Sequence, residues 1–307
     1  RKLGKLGIPV VYYIPPKVWA WRQGRVERLR ADFAKLLCIL PFEEEFYRAH
    51  GATAAYVGNP LVDELPLDLT RESAREALSV GNSDTVLTIM PGSRPHELKR
   101  HIDVMLDGAT RAAARLRSSG RLRARDPLRV LIPIPETANV PRIRRQIESW
   151  IKQASGGEPD FILDVRVFEG NAATCLAAAD VGLIKSGTAT LEAGLMLCPH
   201  AVIFKPGILT EWIFKAFIRY AGPVGLVNLV AGSGPDARPP YLINEILMNE
   251  VTARNLEREL VSLFEDEERR GRMLQGLREL RARVIGDAKA GSPSARAARE
   301  ALGALKT

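Results

Sequence analysis

The segment Val181–Phe204, VGLIKSGTATLEAGLMLCPHAVIF, limits the possible folds of this chain more than any other. It reads as a buried strand over Val181–Ile184, a small-residue loop Lys185-Ser186-Gly187-Thr188, a helix over Ala189–Leu197 and a second strand over Ala201–Phe204. Pro199 stops the helix, because proline cannot supply the next helical N–H. A strand that turns through glycine into a helix makes an anion site. The first helical amides have no backbone partner, and the helix dipole adds partial positive charge there. Gly187 lets a ligand come close, and Ser186, Thr188 and Thr190 are expected to add hydroxyl donors. Glu192 lies four residues after Thr188 and faces the same way, placed to accept hydrogen bonds from a pair of sugar hydroxyls. The same spacing also suits an ordinary capped helix with an exposed glutamate, and the motif alone does not decide between them.

The rest of the chain repeats this alternation. Ile8–Ile14 is a β-branched and aromatic run that predicts a buried parallel strand, broken by Pro15-Pro16. A helix is expected over Lys17–Lys35, a strand over Leu36–Leu40, a helix opened by Pro41 and the acids Glu43–Glu45, and a strand over Thr53–Gly58. That order is a piece of a doubly wound sheet. Asp63–Ser83 is more polar, holds a short helix over Arg71–Leu78, and marks a domain boundary.

A second α/β series follows, with strands over Val86–Met90, Leu128–Ile134 and Phe161–Phe168 and helices over Glu97–Leu116, Pro141–Gln153 and Ala172–Ala179. Ligands of such sheets sit at the carboxyl ends of the strands. The loops Pro91–Arg94 and Ser186–Thr188 both lie at such ends, so they can face one crevice. Arg94 offers a planar fork matched to phosphate oxygens, unless it pairs locally with Glu97. Further on, Ile208–Tyr220 is apolar nearly all round, which fits a helix buried on the sheet or one lying on a membrane surface. Asn228, between apolar residues in GLVNLVAG, must find main-chain or ligand partners. Helices are expected over Tyr241–Asn249, Thr252–Glu265, Asp266–Ile285 and Ser294–Leu305.

The net charge of +8 in 307 residues suggests an anionic partner: nucleic acid, a phosphorylated substrate or an acidic membrane. No nucleic-acid motif accompanies the arginine clusters at Arg22–Arg30 and Arg117–Arg125, so no nucleic-acid partner is expected. Cys38, Cys175 and Cys198 stand singly in apolar segments and are expected to be buried thiols. No metal-ligand cluster is visible. No apolar run approaches the roughly 20 residues that span a bilayer.

Six stretches then occur in a specific order: VYYIPPKVWAWRQ (Val11–Gln23), ILPFEEEFY (Ile39–Tyr47), YVGNPLVD (Tyr56–Asp63), MPGSRPHE (Met90–Glu97), SGTATLE (Ser186–Glu192) and NLVAG (Asn228–Gly232). In these the chain resembles lipid-A-disaccharide synthases over essentially its whole length. The resemblance implies two Rossmann-like parallel-sheet domains of the GT-B type. The implied reaction is an inverting transfer of 2,3-diacylglucosamine from UDP to 2,3-diacylglucosamine 1-phosphate, giving the β-1,6-linked lipid A precursor and UDP, with neither metal nor cofactor.

By position, the resemblance makes Ser93 and Arg94 diphosphate contacts, next to Glu97, and Ser186, Gly187 and Thr188 the phosphate loop. It places Glu192 on the ribose, Asn228 and Glu245 at the nucleotide, and Lys205 beside the departing UDP. The implied domains are residues 1–66, a remnant of an acceptor-binding domain; 67–285, the UDP-sugar domain; and 286–307, a helix returning toward the first. An anionic membrane surface on the cytoplasmic side of a Gram-negative inner membrane and a homodimer are the implied associations. Three departures stand out. Ile14-Pro15-Pro16 replaces the usual ISP, Asn59 stands where the family usually has histidine, and Gly232–Tyr241 is longer and richer in Pro and Gly. The family's proposed general-base aspartate falls in a stretch ahead of the IPVVYY strand that this sequence does not contain. The expectation is therefore a fragment that binds UDP without efficient turnover. A UDP-N-acetylglucosamine epimerase-like enzyme would share the nucleotide pocket, but would have no reason for the tryptophan-rich VWAWRQ stretch.

Overall fold

The computed structural model describes residues 7–20, 23–156, 162–207, 222–232, 234–286 and 290–304. The Ile208–Tyr220 helix, and Trp21 and Arg22 of the VWAWRQ stretch, lie outside the described residues. Two all-parallel sheets organise the rest. The first is β1 (Val11–Tyr13), β2 (Lys35–Cys38) and β3 (Ala54–Tyr56) in that spatial order, with α1 (Val26–Asp32) and α2 (Glu43–Ala49) as crossovers. Two short helices, α3 (Leu61–Glu64) and α4 (Arg71–Ala77), lead to the second sheet.

The second sheet holds β4 (Val86–Met90), β5 (Leu128–Ile134), β6 (Leu163–Glu169), β7 (Val181–Lys185), β8 (His200–Phe204) and β9 (Glu245–Leu247). Its helices are α5 (Pro95–Ser118), α6 (Val140–Ser155), α7 (Ala172–Ala178), α8 (Thr188–Leu195) and α9 (Leu226–Ala231). Then come α10 (Ala253–Glu265), α11 (Glu267–Ile285) and α12 (Pro293–Gly303). The spatial order is β6-β5-β4-β7-β8-β9. The chain winds outward from β4 in one direction and from β7 in the other. The order reverses between these two strands, and a crevice opens where the loops after them diverge.

Burial explains the sequence pattern. The strands β4, β7 and β8 are covered on both faces and read as continuous apolar runs. Thr88, the polar exception in β4, donates its hydroxyl to the Cys175 carbonyl at 2.7 Å. Gly108 has a packing role: a Cβ there would meet Leu256 Cβ at 2.6 Å, so its absence lets α10 lie directly on α5. All three cysteines are buried and unpaired, and burial pushes their thiols up, that of Cys175 to about 12.

Two expected helices take another form. Among the described residues of Lys17–Lys35 only Val26–Asp32 is α-helical, and Lys35 already belongs to β2. Residues 17–20 bend instead to bury Val18 and Trp19. The Trp19 indole donates to the buried Glu43 carboxylate at 3.0 Å and packs edge-on against Phe42. Tyr241–Asn249 is not an α-helix: it carries β9, which pairs with β8 in the register Val202↔Glu245, and then enters a 3-10 turn at Met248. Sheet pairing and the grip of Asn228 on the Ile243 backbone decide that conformation.

The final helix α12 lies on the first sheet. Arg296 donates to the Val57 carbonyl, Lys35 pairs with Glu300, and Ala297 packs on Leu37 and Val57. The chain thus crosses from the first sheet to the second after α3 and returns ahead of α12.

Below the second sheet, Arg75 is 1% exposed and ties four carbonyls, those of Ala178, Gly81, Asn82 and Asp84, to one guanidinium. It also pairs with Asp180 at 3.2 Å. Arg75→Met would strand those acceptors and is expected to cost about 3 kcal/mol of stability. Urea unfolding of the two proteins measures this; a loss under about 1 kcal/mol would mean that water reaches these carbonyls.

Candidate active site

The turn after β4 is built around one carboxylate. Gly92 has φ +120°, and a Cβ there would meet Glu97 Cβ and Oε2 at 2.7 Å, so only glycine fits. Pro95 opens α5, where its missing N–H costs nothing. Glu97 folds back over this first turn. Its Oε2 accepts from the Ser93 and Arg94 amides at 3.1 and 3.3 Å, and its Oε1 pairs with Lys185 Nζ at 2.8 Å. Burial alone would raise the Glu97 pKa. The Lys185 ammonium and the two amides outweigh it and hold the carboxyl at about 2. Arg94 therefore does not pair with Glu97. Its guanidinium is exposed and makes no hydrogen bond or ion pair among the described residues, and Ser93 beside it is also exposed.

The second turn follows β7. The Ser186 amide continues the ladder to the Ile203 carbonyl at 2.7 Å. A Cβ on Gly187 would meet nothing within 4 Å, so its backbone faces open space, and α8 starts at Thr188 with its first amides unpaired within the helix. Of the three hydroxyls expected as donors, only that of Thr188 is exposed. Ser186 donates to the Val224 carbonyl at 2.8 Å, and Thr190, fully buried, donates to the Gly187 carbonyl at 2.9 Å. These two stiffen the loop.

Both turns line one cleft of about 470 Å³ at the strand reversal. Ser93, Arg94, Glu97, Ser186, Gly187, Thr188 and Glu192 are all brought together there. Burial, with a smaller contribution from the Glu64 charge, raises the Glu192 pKa. The sequence reading missed Lys185, which stands at the end of β7 and lines the cleft beside Pro133–Pro135 and Gly170. Its place at a carboxyl strand end was the available signal. His101, one turn after Glu97, is also new. It is 1% exposed, its Nδ1 lies 2.7 Å from the Glu97 carbonyl, and burial lowers its pKa.

Three expected site residues lie elsewhere. Lys205 follows β8 and does not line the cleft. Asn228 is 2% exposed and spends its whole amide internally: it donates to the Ile243 carbonyl and Glu245 Oε1, each at 2.8 Å, and accepts from the Ile243 amide at 2.9 Å. Glu245 accepts from the Val224 and Gly225 amides, both at 2.9 Å. Their geometry is that of struts holding the Val224–Gly225 segment, to which Ser186 is also tied. Among the described residues, no group of three or more His, Cys, Asp or Glu comes together in a way that could hold a metal ion.

Two parallel-sheet units, with a cleft where the strand order of the larger reverses, define the GT-B class of α/β fold. A crystal structure of a glycosyltransferase from Rickettsia africae ESF-5 superimposes with a TM-score of 0.50 at 11% identity, covering 99% of this chain and 78% of that one. Within that class the chain belongs to the lipid-A-disaccharide synthase family, the glycosyltransferases of lipid A biosynthesis. The family model described as lipid-A-disaccharide synthetase matches residues 1–289. The lipid-A-disaccharide synthase of Myxococcus xanthus (strain DK1622) is 35% identical over 98% of this chain and 71% of its own length. That of Anaeromyxobacter dehalogenans (strain 2CP-C) is 36% identical over 99% and 71%.

The Glu97 carboxyl titrates below its ordinary value of 4.5 when folded, so its stabilising effect is complete above that pH and is lost as pH falls toward 2. Glu97→Gln is expected to flatten the loss of stability over that window. Denaturant unfolding at stepped pH reads it, and parallel profiles for the two proteins would assign the acid sensitivity to other carboxylates.

Proposed function

We propose that this chain carries the donor site of an inverting transfer: its cleft binds UDP-2,3-diacylglucosamine, whose sugar goes to 2,3-diacylglucosamine 1-phosphate, with efficient turnover requiring the general base that the family carries ahead of the IPVVYY strand. The observation that carries the reading is the pairing of an uncommitted guanidinium, Arg94, with the free first amides of α8 at Gly187–Thr188 in a single cleft. A diphosphate gripped on both sides fits that arrangement. As the glycosidic bond to UDP breaks, negative charge builds on the leaving diphosphate. Fixed donors already aimed at that position lower the barrier without reorganising. Glu192, on the α8 face toward the cleft, is the acceptor for the ribose hydroxyls. Lys185 and Lys205, at the ends of neighbouring strands, add positive potential, and Lys185 does so while it anchors Glu97. Asn228 and Glu245 act through the segment they hold rather than by contact.

In this reading residues 67–285 are the donor unit, residues 1–66 the acceptor side, and α12 within 286–307 a strap back to it. The family match favours sugar transfer over epimerisation. The acylated substrates and the basic charge argue for work at an anionic membrane surface on the cytoplasmic side of a Gram-negative inner membrane.

Calorimetry tests the grip. Arg94→Ala is expected to weaken UDP binding by about 1.5–3 kcal/mol, the worth of one charged hydrogen-bond partner. Unchanged affinity would remove the diphosphate from this place. Incubation with the two acylated glucosamine substrates and analysis of products distinguishes the reactions: a disaccharide with release of UDP supports transfer, while epimerised UDP-sugar with no disaccharide would refute it. Sedimentation with anionic vesicles is expected to carry the protein down at low salt and release it at high salt. Equal binding to neutral vesicles would contradict an electrostatic contact.

A further inference from the structure

At the edge of the second sheet opposite the cleft lies another cavity, of about 490 Å³. It is bounded by the ends of α7, α8 and α10, by one face of α11 and by the segments around Leu67 and Arg121. Its floor is apolar, made by Leu67, Leu69, Met196, Phe264 and Leu274. Its rim carries five arginines, Arg71, Arg121, Arg270, Arg278 and Arg281, against one acid, Asp180.

Part of this charge has work inside the fold. The C-termini of the helices that end here carry partial negative charge. Arg270 answers it by donating to the Leu263 and Phe264 carbonyls at 2.8 and 3.0 Å, and it lies 3.7 Å from the exposed Glu267. Arg281 donates to the Leu67 carbonyl, near Asp68. Arg71 pairs with Asp180, which also holds Arg75 and the Val86 amide. Arg121 and Arg278 remain, without a hydrogen bond or ion pair among the described residues. The backbone at Arg121 is held, because the following residue, Leu122, is 2% exposed and its amide bonds the Leu116 carbonyl at 2.9 Å, while the Arg121 side chain is exposed. Arg278 lies two turns after Arg270 and one turn after Leu274, on the α11 face that lines the cavity.

Two free guanidinium groups over an apolar floor match neither a bare ion nor a neutral lipid. A bare phosphate would leave the floor against water, and a neutral tail would leave the rim unpaired. We propose that this cavity is a second ligand site, separate from the cleft, for an amphiphilic anion: a phosphate head between Arg121 and Arg278 with an apolar tail on the half-buried Leu67, Leu69 and Leu274, over the buried Met196 and Phe264. The site abuts the C-terminal end of α8, the helix whose other end lines the cleft.

Calorimetry with dodecyl phosphate below its micelle concentration, inorganic phosphate and dodecyl maltoside tests this on the full chain and on the double variant Arg121→Gln/Arg278→Gln. Neither side chain holds another group, and a thermal melt checks that the variant is folded. One dodecyl phosphate per chain is expected. The double variant should bind it at least about tenfold more weakly, and the parent should bind phosphate and maltoside weaker by a similar factor. UDP affinity is expected to be the same in both proteins, and saturating UDP should not displace dodecyl phosphate. Equal dodecyl phosphate affinity in parent and variant, inorganic phosphate binding as tightly as the amphiphile, several molecules per chain, or displacement by UDP would each overturn the proposal.

Discussion

The ion pair between Glu97 and Lys185 is the contact on which the cleft depends. It joins the start of α5 to the end of β7, the two elements on either side of the strand reversal. Both side chains are mostly buried, at 12% and 19% exposed, so each needs the other to offset lost hydration. The carboxylate also satisfies two amides of the preceding turn, which fixes Ser93 and Arg94 in space. Most important is what the pair leaves out. An aspartate or glutamate three residues after an arginine would ordinarily compete for it. Here the lysine from the neighbouring strand takes that carboxylate, and the Arg94 guanidinium stays available to the cleft.

The other wall is supported from farther away. Ser186 hangs on the Val224 carbonyl, the Val224 and Gly225 amides rest on Glu245, and Glu245 shares Asn228 with the Ile243 backbone. The edge strand β9 therefore holds the loop at the centre of the sheet through a relay of neutral and charged hydrogen bonds. Buried polar networks of this kind define one geometry when every member is satisfied, and each donor and acceptor of the Asn228 side chain is.

Much of this was legible in the residues themselves. The largely apolar runs of β4, β7 and β8 and the two glycine turns specify a parallel sheet and its ligand edge, because a strand covered on both faces shows no alternation. The roles of Asn228 and Glu245 were not legible. Their polarity in an apolar setting says that partners exist, but not whether those are backbone or ligand. The same limit applies to the serine and threonine hydroxyls of the loop, which spacing places near a ligand and local carbonyls then engage. Trp19 and β9 were misread because long-range partners, Glu43 for one and β8 for the other, override helical propensity in segments that carry no strong period of their own. Lys185 was overlooked because its importance lies in a residue on another strand–helix unit.

The two passages of the chain between the sheets, one after α3 and one ahead of α12, bear on how this protein can move. Two bodies joined by a single tether can swing and twist freely, but a second tether removes most of those freedoms. What survives is rotation about an axis running near both joints, a hinge. Lys35, Val57 and Asp63 fasten the returning helix to the first sheet, so that helix travels with the sheet as one rigid piece. Among the described residues the halves also share a packed seam, where Trp19 and Leu40 join the core of the second sheet and Phe42 lies against Gly234, so a change of angle between them has to open that seam.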